Sequence, residues 1–135
     1  MTERDLYKYI DYKKRVKRLE ADINALYGVM GTPSSPNISP VPSDHSGDIA
    51  DRLAFEIDEI NRLRSKLDEA RRECAIAALR LDDLERRLDK DIERVVLDYL
   101  YRKDIDIKDI AKRLKYSPSS IYAFRADILT VASTM

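Results

Sequence analysis

The sequence has no Trp, three Gly, one Cys and one His among 135 residues. A single cysteine, Cys74, can form neither an intramolecular disulfide nor a Cys-based zinc site, which points to a reducing, cytoplasmic setting. The longest unbroken apolar stretch runs only from Cys74 to Leu79, whereas a membrane span needs roughly 20 such residues. The first ten residues carry charge where a signal peptide requires an apolar core. No excess of one sign exists either, since 25 basic side chains balance 25 acidic ones, and this excludes a globally polybasic protein. What the chain has in abundance is charge itself, 37% of all residues, which with so little glycine suits long exposed helices better than a sheet. At roughly 100 to 200 residues per domain the length allows one domain or two very small pieces.

Residues 31–47, GTPSSPNISPVPSDHSG, contain Pro33, Pro36, Pro40 and Pro42 together with five Ser, and read as a linker. Each X-Pro step favours extended backbone, so the segment is expected to be a semi-rigid spacer reaching roughly 50 Å at about 3.1 Å per residue. His45 stands alone there and reads as a solvated loop histidine rather than a metal ligand.

On either side lie apolar stripes of helical period. Before the linker, over residues 1–30, Tyr9, Tyr12, Val16, Leu19, Ile23, Leu26 and Met30 alternate steps of three and four, the mark of a coiled-coil helix. Its other faces carry Lys8, Lys13, Lys14, Arg15, Lys17 and Arg18, a run that reads first as a solvated face and second as a nucleic-acid arm. After the linker, over residues 48–88, a longer stripe joins Leu53, Ile57, Ile60, Leu63, Leu67, Ala70, Cys74, Ala77, Leu81, Leu84 and Leu88. No Gly or Pro interrupts residues 48–117, so one helix of about 40 residues, roughly 60 Å long, is permitted. Among the small residues Ala70, Ala77 and Ala78, Cys74 reads as a small core residue rather than a reactive thiol. Because the stripes differ in length, an antiparallel hairpin leaves part of the longer one uncovered, and a homodimer or higher oligomer would cover the rest.

From residue 89 to residue 135 the pattern changes to short helices. Ile92, Val95, Val96, Tyr99 and Leu100 mark the inner face of one, which the polar Arg102, Lys103 and Asp104 end. Asp106 followed by Asp109 forms a helix cap, and Ile110, Ala111 and Leu114 give an inward face. A restart follows at Lys115-Tyr116-Ser117-Pro118, with Ser117 placed to cap and Pro118 suited to the first helical position. Ile121, Phe124, Ile128 and Leu129 line the inside of this last helix. Two short helices joined by a tight turn, with small Ala111 where they cross and a supporting helix before them, constitute a helix-turn-helix unit. The fold class expected is therefore all-α: a long helical hairpin or coiled coil followed by a three-helix unit.

The stretch from Leu97 to Leu129, with Tyr101, Ile110-Ala111, Leu114, Tyr116-Ser117, Ile121 and Ile128-Leu129, resembles the helix-turn-helix of sigma-factor region 4. The whole chain, a coiled-coil front and a Ser/Pro-rich linker before that unit, is similar to small prophage-encoded regulators, among them late-gene transcription activators of the ArpU/RinA type. Asp104 and Lys115 stand where the region 4 pattern usually has Gly, and Leu100 where Arg is common. The resemblance implies that the last helix is a recognition helix. On a helix with Ile121 at its buried centre, Ser119, Ala123, Ala126 and Thr130 point outward, flanked by Ser120 and Tyr122. Base reading is then expected of Ser119, Ser120, Tyr122 and Ala123, and phosphate contact of Lys108, Lys112, Arg113, Lys115, Tyr116 and Arg125. The last helix has no Asn or Gln and only one Arg, so sequence discrimination by one copy is expected to be weak.

The partners this implies are duplex DNA, a second copy of the chain and host RNA polymerase, in the cytoplasm of a bacterial host, with no membrane, cofactor or metal. Two alternatives stay open: an interaction adaptor that docks polymerase or serves as a helical scaffold, and the DNA-recognition small subunit of a phage packaging terminase. An enzyme is not expected, since the carboxylates are spaced for ion pairs along helices, no Gly-rich phosphate loop is present, and the lone His and Cys lie on different elements.

Overall fold

Every regular element described is a helix, as the scarcity of glycine and the period of the apolar residues lead one to expect. The computed structural model describes residues 1–30 and 46–135. Most of the expected spacer, residues 31–45 with His45, lies outside the described residues, whereas Ser46 and Gly47 already belong to a helix. The order is α1 (Glu3–Met30), α2 (Ser46–Arg87), α3 (Asp91–Leu97) running on into a π-helical turn (Asp98–Arg102), α4 (Ile107–Leu114) and α5 (Pro118–Ser133). No strand occurs among the described residues, and no described helix is long and apolar enough to cross a membrane.

Two compact units share the long helices: residues Met1–Lys14 with Arg71–Met135, and residues Arg15–Ala70. In the second unit Leu19 and Ile23 of α1 form a small core with Leu67 and Ala70 of α2, with Val16 and Leu63 partly buried against it. These are stripe residues, and their burial is what makes a hairpin of two otherwise charged helices. Closer to the start of α2 the stripe is bare. Leu53 and Ile57, together with Ile49 and Phe55, are exposed, and Phe55 is 69% accessible.

The first unit holds the main core. Leu6 from α1 meets Leu81, Leu84 and Leu88 from the end of α2, Val96 and Leu97 from α3, Leu100 and Tyr101 from the π-turn, Ile110 and Ala111 from α4, and Ile121, Ile128 and Ala132 from α5. Leu6 and Ile10 are more deeply buried than Tyr9 and Tyr12, which the heptad reading favours. At the first turns of α1, Leu6 joins one core made by the end of α2 and the short helices together, and this packing draws the buried face off the heptad stripe. Cys74 is half-buried on α2, and burial pushes its thiol pKa up.

The connection from α2 into the short helices is held by two arginines. Arg94 donates to the carbonyl oxygens of Glu85 and Leu88, the Glu85 oxygen also accepting from the Leu88 N–H where α2 ends. Arg102, only 21% exposed, reaches Asp82 at 2.6 Å and Glu85 at 2.8 Å on α2 and Asp98 at 3.4 Å on the π-turn.

Candidate nucleic-acid interface

The helix-turn-helix is assembled by its caps. The Asp106 carboxylate accepts from the Asp109 N–H at 2.8 Å and starts α4. The helix stops at Lys115, whose backbone is left-handed at φ 60°, ψ 38°, and the Tyr116 N–H returns to the Ala111 carbonyl at 3.0 Å. That six-to-one bond is the Schellman closure of a helix C-terminus. Two residues later the Ser117 hydroxyl accepts from the Ser120 N–H at 3.3 Å, with Pro118 in the first turn, and α5 begins. The turn is thus three residues long, from Lys115 to Ser117. Ile110 and Ile121 are fully buried and Ala111 nearly so where α4 and α5 pack.

The other left-handed residue is Asp104, at φ 56°, directly after the π-turn. The loop geometry that glycine would favour is adopted here by Asp and Lys, a conformation non-glycine residues take at some cost. In the π-turn the Lys103 N–H bonds to the Asp98 carbonyl at 3.0 Å and the Ile105 N–H to that of Tyr99 at 2.9 Å. The inner face of α3 and the turn is Val96, Leu97, Leu100 and Tyr101, one residue on from the expected Ile92, Val95, Val96, Tyr99 and Leu100; Val95 is exposed and Ile92 and Tyr99 are half-buried. Both faces have the helical period, and packing against the other helices selects the one that holds Leu97 and Tyr101.

Charge is then sorted by geometry. Of the seven cations between residues 102 and 125, Arg102 is committed to Asp82, Glu85 and Asp98. Lys103 pairs with Asp98 at 3.3 Å and lies over the Tyr99 ring. Arg125, expected to meet phosphate, is held by Glu3 of α1 at 3.2 Å and faces the Tyr122 ring at 5.8 Å. Lys108, Lys112, Arg113 and Lys115 remain, all exposed and none ion-paired with any described residue. They lie along α4 and at the turn that leads into α5.

On α5 the residues expected to read bases divide. Ser119, Tyr122 and Ala123 are exposed on the first two turns, as are Ala126 and Thr130 further along. Ser120 is half-buried, and its hydroxyl is 2.9 Å from that of Ser117, so it serves the cap. Tyr116 packs edge-on against Phe124 with ring centroids 5.4 Å apart, leaving it partly exposed beside the turn. The first turn of α5 has no acidic residue, so the positive end of the helix dipole is left uncancelled for an anion.

Alongside Tyr122 runs an open groove of about 490 Å³ lined by Tyr7, Leu100, Asp104, Ile105, Asp106, Ile107 and Lys108. It brings α1 next to the outward side of α5, an approach the sequence gives no register for. Among the described residues no three His, Cys, Asp or Glu side chains converge to hold a metal ion. No protein-family model, no curated protein and no solved structure matches this chain.

Proposed function

We propose that the chain is a DNA-binding transcription regulator of the phage type its sequence resembles, acting in the cytoplasm of a bacterial host and holding duplex DNA with α4 and the turn while α5 enters the major groove. The observation that carries this reading is the set of four exposed cations without an ion pair among the described residues, Lys108, Lys112, Arg113 and Lys115, gathered on α4 and the turn in a protein whose remaining charges are 21 basic against 25 acidic. Unpaired cations beside a helix start that bears no acidic residue favour phosphate. Exposed Ser119, Tyr122 and Ala123 supply a hydroxyl, an aromatic edge and a methyl to base edges. The reading includes a second copy of the chain, because exposed Ile49, Leu53, Phe55 and Ile57 on α2 are apolar surface that self-association would cover. Two weak readers joined in this way add their discrimination.

The test is selection from a random duplex pool by the full chain, followed by footprinting of the enriched sequence. Wild type is expected to enrich a motif with two half-sites, and Tyr122→Ala to keep binding while losing the motif. Retention of no duplex above background at low salt would turn the reading toward docking on RNA polymerase or another protein.

A further inference from the structure

The basic run of α1 has no role in the reading above. Residues 13–18 are Lys, Lys, Arg, Val, Lys and Arg, with no acid among them. We propose that α1 provides a second phosphate-holding strip for duplex DNA, formed by Lys13 and Lys14 and lying beside the helix-turn-helix. This rests on the DNA-binding reading and extends the interface to an element outside the motif.

The placement follows from the helix. Leu6 and Ile10 are buried in the first unit at a spacing of four, and the next step of four along that face is Lys14, with Lys13 one residue before it. Both are exposed. The face that packs inward for the first turns of α1 therefore becomes cationic where packing ends. Lys14 Nζ lies 3.1 Å from Asp104 Oδ2, and both side chains are more than half accessible at 68% and 52%. Such an exposed pair holds loosely and can be exchanged for a stronger anion. Lys13 lies over the Tyr9 ring at 5.8 Å and has no carboxylate partner among the described residues.

Asp104 is also the residue that leads toward α4. With Tyr7 of α1, Lys108 of α4 and Tyr122 of α5 it lines one groove. Lys14 is consequently tied to a residue that borders two proposed DNA-contacting side chains, Lys108 and Tyr122. A polyanion laid along α4 and the start of α5 would pass the end of this cationic face. A duplex offers phosphates at regular intervals on both sides of the groove that a recognition helix enters, so contacts flanking the motif suit it. On binding, a phosphate oxygen takes the place of the Asp104 carboxylate at Lys14.

The experiment is a fluorescence-anisotropy titration of the full chain with one duplex over a salt series, on wild type, Lys13→Ala/Lys14→Ala, Lys112→Ala/Arg113→Ala and Asp104→Asn, each checked by thermal melting. Asn tolerates the left-handed backbone of position 104. The Lys13/Lys14 variant is expected to bind more weakly and to flatten the log-log salt slope by about 2. Asp104→Asn is expected to bind at least as tightly as wild type, because it releases Lys14; a purely structural pair would make it as weak as the lysine variant, and that result would overturn the proposal. If Lys112→Ala/Arg113→Ala weakens binding and Lys13→Ala/Lys14→Ala does not, the strip on α1 is refuted while the helix-turn-helix reading stands. If wild type binds no duplex at low salt, both fall.

Discussion

Lys115 has a left-handed backbone, φ 60°, and a side chain in the candidate interface, so one residue serves both the turn and the charge. Lys115→Gly removes the backbone penalty and is expected to keep or raise the melting temperature, whereas Lys115→Val, with a branched Cβ, is expected to cost about 1–2 kcal/mol. A pair of thermal melts distinguishes them. Tyr101 is fully buried and meets the Tyr7 ring edge-on at 5.1 Å, and its hydroxyl, near the Glu3 carboxylate, makes no hydrogen bond of ordinary geometry with any described residue. Burial, reinforced by the Glu3 carboxylate, pushes its phenol above the ordinary value near 10.0. The folded state therefore favours the neutral phenol. This contribution to stability is complete below about pH 10 and is lost as the pH rises toward the folded pKa. Tyr101→Phe is expected to stabilise by up to about 1–3 kcal/mol by removing an unsatisfied polar group, and to flatten the alkaline loss of stability. A lower melting temperature for Phe at neutral pH would mean that the hydroxyl has a partner in solution. The caps at Asp106 and Ser117 are legible in sequence because capping is local chemistry; the burial of Tyr101 is not, because residues 92, 95, 96, 99 and 100 and residues 93, 96, 97, 100 and 101 are both faces of helical period and only tertiary packing selects between them.

The helices themselves were legible from period and punctuation. Pro118 and Ser117 fix where α5 begins, and Ile121 and Ile128 mark its buried side. The interior of α5 was readable because one face packs and the other does not. In α1 the buried Leu6 and Ile10 fall off the heptad stripe that Leu19 and Ile23 follow, so no single spacing describes the whole helix. The candidate site was readable in part: the cations of α4 stand out in sequence, but the removal of Arg125 and Arg102 from the free set depends on Glu3, Asp82 and Glu85, which are distant in the chain. On α5, holding and reading are expected to separate. Ile121→Ala should cost about 2–5 kcal/mol and lose any footprint with the fold, while Tyr122→Ala should melt like wild type. Equal melting temperatures for the two variants would contradict the packing described.

At the scale of the whole molecule, the start of α2 presents Ile49, Leu53, Phe55 and Ile57 as exposed apolar surface, and self-association is the expected consequence. Leu53→Lys/Ile57→Lys should lower the sedimenting mass without unfolding the chain, because these side chains are not buried within one copy. Leu81→Lys, at 1% exposure, should instead unfold the first unit, since an unpaired buried charge costs several kcal/mol. Wild type sedimenting as a folded monomer at micromolar concentration would remove the oligomer from the account and leave each helix-turn-helix to bind alone.

The claim on which the rest depends is that the unpaired cations of α4 hold DNA phosphate. It is tested most directly by the salt dependence of duplex binding for wild type and for Lys112→Ala/Arg113→Ala, both exposed positions whose loss leaves the core intact. Binding is expected to weaken steeply with salt, with a log-log slope smaller by about 2 in the variant. An identical slope for the two proteins, or no binding by wild type at low salt, would contradict it.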